Sequence, residues 1–420
     1  MEGEDNANIA MSESSGRTPL SWAAGEGHAK VVMLLLGREG VDANKVDRHG
    51  RTPLSWAAGK GRDEVVKLLL GQEGVDPDAG DINGGTPLSE AAKGRHEGVA
   101  KLLLECQNVN PNATSINDGT PLSWAVWTGG DGIVKLLLER EDIAPNIQDY
   151  YGQTPLTIAS MCGDDDVVQL LLRCQKVNPN TTDSVGRTPL SWAVMSGNDE
   201  VVQLLLKRGD VDPNITDKDG RTPLMWAAEK GKDRVVELLL EREDINPNLA
   251  NHSGDTPLSW AVEHGKDRVV KLLLKRKDIN PDLVNPSGDT PLLGAAKIGQ
   301  QEAVELLLRC ENVNPNATDE FGQTPISCAA RFGFHGVVEL LLRCQNVDPN
   351  MRDVFGRTPI SWAAISGNDK VVQLLLGLEA VDTNIADNNG RTPLALAFGA
   401  GNQRVINLLQ AHQYAGLNLV

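Results

Sequence analysis

A short apolar run returns along the whole chain at a fixed distance. Val65-Val66-Lys67-Leu68-Leu69-Leu70 and Val235-Val236-Glu237-Leu238-Leu239-Leu240 are two copies. Only Lys67 and Glu237 interrupt them, which predicts a helix buried on most of its sides. A segment opening with Thr-Pro precedes each run, as in Thr222-Pro223 followed by Leu224, Trp226, Ala227 and Ala228. Proline in a first helical turn loses no hydrogen bond, because that N–H has no partner within the helix. The pattern predicts a helix that stops at Gly231, with Asp233 as the N-cap of the next. Asp244-Ile245-Asn246-Pro247-Asn248 then predicts an extended turn, and Asp217-Lys218-Asp219-Gly220 a second turn before Thr-Pro. The unit is two helices and a hairpin-like loop.

The Thr-Pro pair recurs at Thr18, Thr52, Thr86, Thr120, Thr154, Thr188, Thr222, Thr256, Thr290, Thr324, Thr358 and Thr392, and every interval is 34 residues. Of the 22 prolines, twelve follow these threonines, nine stand nine residues before an anchor from Pro77 to Pro349, and only Pro286 lies outside the pattern. Thr52-Pro53-Leu54-Ser55-Trp56-Ala57, with Val65 to Leu70 after it, resembles the ankyrin repeat, whose signature is Thr-Pro-Leu-His-x-Ala on a period of about 33 residues. The resemblance covers essentially the whole chain. Two departures stand out: the period is one residue longer, with the extra residue in the segment leading to the hairpin, and the His position is Ser in eight units and His in none. The resemblance implies an all-α solenoid of twelve 34-residue repeats, each helix-turn-helix plus a β-hairpin-like loop, in a curved stack. Residues 1–17 are expected to form an acidic lead-in with an incomplete hairpin, 18–410 one solenoid domain, and 411–420 a C-terminal cap. The Thr-Pro-Leu-Ser-Trp-Ala wording with Asp/Asn-Pro-Asn loops is similar to arrays of filamentous fungi. Those occur as free proteins or as sensor halves of large NTPase receptors.

Composition narrows the partners. The formal charge of −17 disfavours non-specific binding to nucleic acid or anionic lipid. It leaves open a protein partner that itself binds DNA. No apolar run approaches the roughly 18 residues that a membrane helix needs. Met1-Glu2-Gly3-Glu4-Asp5 has the wrong sign for a leader peptide. The expectation is a soluble intracellular chain, cytoplasmic or nuclear, with no direct contact to nucleic acid or membrane.

Catalytic and cofactor chemistry has no foothold in the pattern. There is no nucleophile elbow, phosphate loop or dinucleotide fingerprint. The seven histidines fall on different repeat positions. Asp164-Asp165-Asp166 lies where acids complement a helix N-terminus, so capping is its expected role. Cys106, Cys174, Cys310 and Cys344 share one repeat position. Neighbouring helices about 8–10 Å apart hold such positions beyond disulfide reach, so reduced thiols are expected. Glycosylation sequons at Asn112, Asn180, Asn214, Asn251 and Asn316 read as loop residues that tolerate left-handed geometry and bond their own backbone. No catalytic residue, metal ligand or cofactor is assigned.

Two recurring features look structural. The residue before Thr is Arg in six units, with an acid four places earlier: Glu13/Arg17, Asp47/Arg51, Asp183/Arg187, Asp217/Arg221, Asp353/Arg357 and Asp387/Arg391. Mutual pairing across one turn is the expected reading, with a ligand-facing Arg row as its alternative. Trp22, Trp56, Trp124, Trp192, Trp226, Trp260 and Trp362 recur four residues after Thr and read as packing. Glu90, Ile158, Gly294, Cys328 and Leu396 replace that Trp elsewhere, and shallow gaps are expected at Glu90 and Gly294.

The remaining aromatics sit where the fold dictates nothing. In ankyrin arrays the concave face is made by hairpin tips and the exposed end of helix one, and binding uses that face. Most units carry ordinary residues there, such as Gly59-Lys60 and Glu229-Lys230. The fourth to sixth units instead present Trp127, Met161, Cys162 and Met195, beside the tip residues Tyr150 and Tyr151. Phe321, Phe332, Phe334 and Phe355 form a second cluster. Filling gaps between repeats would explain both groups blandly. Trp and Tyr are also the usual interface anchors, and Met adapts to partners. The candidate partner-binding residues are therefore Trp127, Tyr150, Tyr151, Met161, Met195, Phe321, Phe332 and Phe355. At the ends, Gln410 replaces the Leu that closes helix two, with Asn407, Gln413 and Asn418 around it, as a polar cap requires. The first unit has no such change, so its face is expected to need covering by upstream sequence or another copy. The function expected is a non-enzymatic protein-binding scaffold. A receptor's sensor array, a transcriptional co-regulator, and an enzyme or small-molecule receptor using the Trp-lined groove are the alternatives.

Overall fold

Thr18 begins the first helix in the way every later anchor does. Its backbone is extended (φ −78°, ψ 162°), its hydroxyl accepts the Ser21 N–H, and Pro19 occupies the first turn. The same hydroxyl cap holds all twelve first helices. A computed structural model describes residues 16–115 and 119–417. Glu13, Asn418 and most of the acidic lead-in lie outside the described residues. The chain divides into two compact units, Met1–Lys218 and Asp219–Val420.

In the first unit the first helices of the repeats are Pro19–Glu26, Pro53–Gly59, Pro87–Gly94, Pro121–Thr128, Pro155–Cys162 and Pro189–Ser196. Within this unit neighbouring first helices pack on one another, and the second helices, from Ala29–Leu36 to Asp199–Lys207, do likewise. The second unit repeats the arrangement from Pro223–Lys230 and Asp233–Leu240 to Pro393–Ala400 and Gln403–Leu417. All 24 elements among the described residues are helices. The all-helical repeat architecture agrees with the sequence pattern.

The core is the repeat pattern made physical. Leu122, Ala125, Ile133, Val134 and Leu137 of the fourth repeat are all buried, as are their equivalents in its neighbours. Each fully buried Leu or Ile contributes about 1.5–3 kcal/mol. Helix one ends where glycine takes a left-handed backbone, as at Gly129 (φ 73°). Arg95 holds that geometry without being glycine (φ 57°), a strain of about 1 kcal/mol. Asp164 caps its helix as expected, its carboxylate accepting the Val167 N–H. Asp233 does not: it is the first helical residue, and Lys232 precedes it without a side-chain cap.

Loops join the repeats through side chains. The Asn112 amide donates to the Asp142 carbonyl (2.8 Å) and accepts from Ala144 N–H (2.8 Å) in the next repeat. Asn44, Asn146, Asn180, Asn248, Asn316 and Asn350 make the same pair of bonds. None of these asparagines is left-handed. The expectation that the loop asparagines tolerate left-handed geometry and bond their own backbone is corrected for this position in its second part: these side chains bond the backbone of the next repeat. Asp78 and Asp282 stand at the same place and can only accept, from Asn110 and Asn314 N–H. Their Oδ1 atoms are buried without a partner, and burial pushes both carboxyl pKa values up against those backbone bonds.

All six cysteines are unpaired. In the fourth repeat the position of Cys106 is taken by Arg140, which donates to the Leu104 carbonyl of the preceding repeat (2.9 Å) and forks onto Asp142. At the ends, Val31, Met33 and Leu34 of Ala29–Leu36 are exposed. In Gln403–Leu417, Val405, Ile406 and Leu409 are buried while Asn407 and Gln413 face solvent and Gln410 is half-buried.

Candidate functional site

The turn before each Thr-Pro positions everything on this face. Asp183 receives the Val185 and Arg187 N–H groups on Oδ1 (3.0 and 2.8 Å) and the Trp192 indole N–H on Oδ2 (2.8 Å). Asp47 holds Trp56, and Asp353 holds Trp362, in the same way (3.0 and 2.8 Å). The acid thus serves turn and tryptophan together. The arginine of the turn lies over indole rings instead. Arg17 is 3.9 Å from the Trp22 centroid and 3.8 Å from that of Trp56. Arg221 spans Trp226 and Trp260 at 4.8 and 5.2 Å. Over Trp362 lie Arg357 of its own repeat and Arg331 of the preceding one, both at 4.6 Å. Pairing of Arg with the acid of its own turn, expected in all six units, is plain at Arg391–Asp387 (2.8 Å), where Leu396 replaces Trp. The tryptophans are packing, as expected, and cations are what they pack against.

Between the fourth and fifth repeats this ladder breaks. Gly119 stands where Arg would lie, and Ile158 where the next Trp would lie. The Trp124 indole leans against Gly119, where an added Cβ would meet its nitrogen at 2.8 Å. Lys93 of the preceding repeat covers Trp124 from 4.8 Å. A cleft of about 440 Å³ results, walled by Trp124, Trp127, Tyr151, Ile158 and Met161, with Gly119 and Gln153 also lining it. Its one acid is Asp149. Oδ1 accepts the Tyr151 and Gln153 N–H groups (2.9 and 2.8 Å), and Oδ2 has no partner among the described residues. Between those two residues Gly152 is left-handed (φ 75°), and a Cβ there would lie 2.6 Å from Ser184 N, so the tip admits only glycine.

Three of the residues expected from the sequence therefore meet in one cleft: Trp127, Tyr151 and Met161. Trp127 and Tyr151 are 55% and 63% exposed and form its open rim. Tyr150 stands outside it, edge-on to Tyr151 (5.4 Å, 82°). Met195 is half-buried in the next repeat, whose Ser196 hydroxyl donates to the Met161 carbonyl. In the second unit Phe321, Phe332 and Phe355 are exposed. Arg331 lies over Phe332 and Arg357 over Phe355 (5.5 and 5.3 Å). Phe334 packs on Gly299 of the preceding repeat, which is a gap-filling role. Asp149, Gln153 and Gly119 were not singled out from the sequence, and Trp124 and Ile158 were read only as packing. The readable signal was the loss of Arg and Trp from two adjacent repeats.

The expected gap at Gly294 is present in the second unit as a cleft of about 210 Å³. Lys297 closes it, bonding Asp289 (2.6 Å) and the buried Asp319 (3.1 Å). Burial opposes the Lys297 charge, but the two carboxylates outweigh it and raise its pKa. At Glu90 the carboxylate bonds Lys93 (2.8 Å). Trp260 shows what the acid does elsewhere. Its turn carries Asn251, whose oxygen accepts the Ser253 and Asp255 N–H groups. What remains of that amide is a donor, and the Trp260 indole N–H is buried without a partner.

The same loop, anchor and helix pair, carried in phase through both units, is matched by six overlapping copies of a family model described as ankyrin repeats (3 copies), at residues 3–81, 73–149, 141–217, 209–285, 277–353 and 335–419. The chain belongs to the ankyrin-repeat family. No curated protein matches it. Ankyrin repeats are in general protein-interaction modules. Among the described residues of this ankyrin-repeat chain, no group of three His, Cys, Asp or Glu side chains is placed to hold a metal ion. No helix among them is long and apolar enough to cross a membrane.

Proposed function

We propose that the protein is a non-enzymatic interaction scaffold whose partner, a protein, engages the aromatic cleft and hairpin tip of the fourth and fifth repeats. One observation carries this reading: Trp127 and Tyr151, 55% and 63% exposed, rim an apolar cleft with the exposed Tyr150 beside it, at positions the repeat leaves free. Solvent-exposed aromatic surface at the rim of a concavity is where binding energy concentrates. Met161 and Met195 extend the surface, and Phe321, Phe332 and Phe355 offer a separate one in the second unit. The working location is the cytoplasm or nucleus. The exposed Val31, Met33 and Leu34 are a further contact surface, for upstream sequence or a second copy.

The test separates binding from folding. Changing Trp127, Tyr150 and Tyr151 together to Ala should abolish partner capture while leaving the unfolding transition within about 0.5 kcal/mol per site. A collapse of stability would make these side chains packing. Unchanged capture would move the site to the Phe321, Phe332 and Phe355 surface. A second reading, a small-molecule receptor, draws on the cleft's volume, which lies in the range of ligand pockets. Binding of apolar small molecules with no effect on protein capture would favour it.

A further inference from the structure

We propose that the cleft between the fourth and fifth repeats receives an arginine side chain of the partner, which completes the Arg–Trp ladder that the chain builds from its own residues elsewhere. This deepens the protein-binding reading and rests on it.

The chain itself shows what these rings bind. Trp56 has Arg17 and Arg51 over it (3.8 and 5.0 Å), and Trp362 has Arg331 and Arg357. One cation comes from the preceding repeat and one from the ring's own turn. Trp124 has the first, Lys93, but Gly119 removes the second. The space so vacated is the cleft, and Trp127 and Tyr151 add two aromatic walls, a pair that no other repeat carries at these two positions.

The acid is vacated as well. In the repeats of Asp47, Asp183 and Asp353, Oδ2 accepts an indole N–H. Ile158 has no such donor, so Asp149 Oδ2 is left as an acceptor on the cleft wall. At Asp387 the same oxygen, also without a Trp, takes a guanidinium: Arg391 Nε and Nη2 lie 3.0 and 2.8 Å away. Aromatic faces with a carboxylate beside them match a planar cation that stacks and donates at once. A net charge of −17 draws a basic partner toward the face.

The test uses the full chain and three blocked tripeptides, acetyl-Gly-X-Gly-amide with X as arginine, lysine or citrulline. Binding is followed by titration calorimetry and by the indole N–H resonances of Trp124 and Trp127. The arginine peptide is expected to bind about tenfold more tightly than the citrulline one, which has the same shape without the charge, and to shift both indole signals. Asp149→Asn keeps both turn bonds, as Asn251 does in its own turn. It should weaken the arginine peptide several-fold with folding unchanged. Gln153→Arg, which sets the chain's own guanidinium beside Asp149 in the Arg391 register, should abolish binding. Equal binding of citrulline, equal binding of lysine, or full binding to Gln153→Arg would each overturn the inference. If arginine selectivity fails while partner capture still requires Trp127 and Tyr151, the scaffold reading stands without it. If the arginine peptide binds selectively but partner capture ignores the cleft, the scaffold site is wrong and the arginine preference stands.

Discussion

The fifth and ninth repeats both lose the tryptophan of helix one, to Ile158 and to Gly294, yet the two gaps differ in chemistry. At Gly294 a lysine of the same helix, Lys297, reaches across and bonds two carboxylates, one of them buried. The gap shrinks to about 210 Å³ and its charges are matched within the chain. At Ile158 no cation among the described residues lines the gap. The gap is about 440 Å³, its walls are aromatic and apolar, and Asp149 keeps an unused oxygen. A missing side chain in a repeat ladder is thus not in itself a site. It becomes one when the polar group that served that side chain is left unserved and the surrounding walls are built up.

The strongest way to break this comparison is to remove the lysine. Lys297→Met strips the cation from Asp319, whose side chain is 2% exposed, and should cost about 1–3 kcal/mol. Hydrogen exchange at the Phe321 and Gln323 amides, which bond Asp319, should accelerate with it. Asp149→Asn, the matching change in the other gap, should stay within about 0.5 kcal/mol. Equal effects would erase the distinction.

Filling the open gap should act in the other sense. Ile158→Trp offers Asp149 Oδ2 the indole N–H it lacks and should add about 1 kcal/mol to unfolding stability, read by urea denaturation. Asn251→Asp should add a similar amount by giving the Trp260 indole an acceptor in place of a donor.

The same donor and acceptor logic has a pH signature. Asp78→Asn and Asp282→Asn supply the donor used by Asn112 and should each gain about 0.5–1.5 kcal/mol at pH 7. Burial raises both folded pKa values above the unfolded carboxyl value, about 3.9, so the carboxylate penalty is full above the folded value and absent below the unfolded one. The gain should therefore shrink as pH falls toward about 4. Stability curves that stay parallel across that window would contradict the assignment.

The smallest stabilisation expected is at Gly294. It lies inside a helix with open space around its Cβ position, so Gly294→Ala should stabilise by about 0.5–1 kcal/mol.

The sequence carried the fold nearly whole, because a 34-residue period printed twelve times leaves one arrangement of Thr cap, helix pair and loop. Trp127 and Tyr151 were legible too, as aromatics at positions no repeat requires. Asp149 was not. It has the residue type and place of Asp47 and Asp183, and only the absence of an indole nine residues later makes it different. The arginines misled for a related reason. Alternation of charge along the chain suggests pairing, whereas Asp183 spends both oxygens on backbone and indole, and Arg187 lies over Trp192 at 5.1 Å. Bonds that cross between repeats, as from Asn112, leave no trace in a local pattern.

One measurement addresses the central claim directly. Peptides would be selected from a random display library on the full parent chain, then measured against Gln153→Arg/Ile158→Trp, which gives the fifth repeat the turn Arg and helix Trp of the second and sixth without removing Trp127, Tyr150 or Tyr151. The expected result is enrichment of arginine-containing peptides that bind the parent and lose at least tenfold in affinity for the double variant. Arginine-free peptides, or peptides that bind both chains equally, would contradict the claim that the open gap is the binding site.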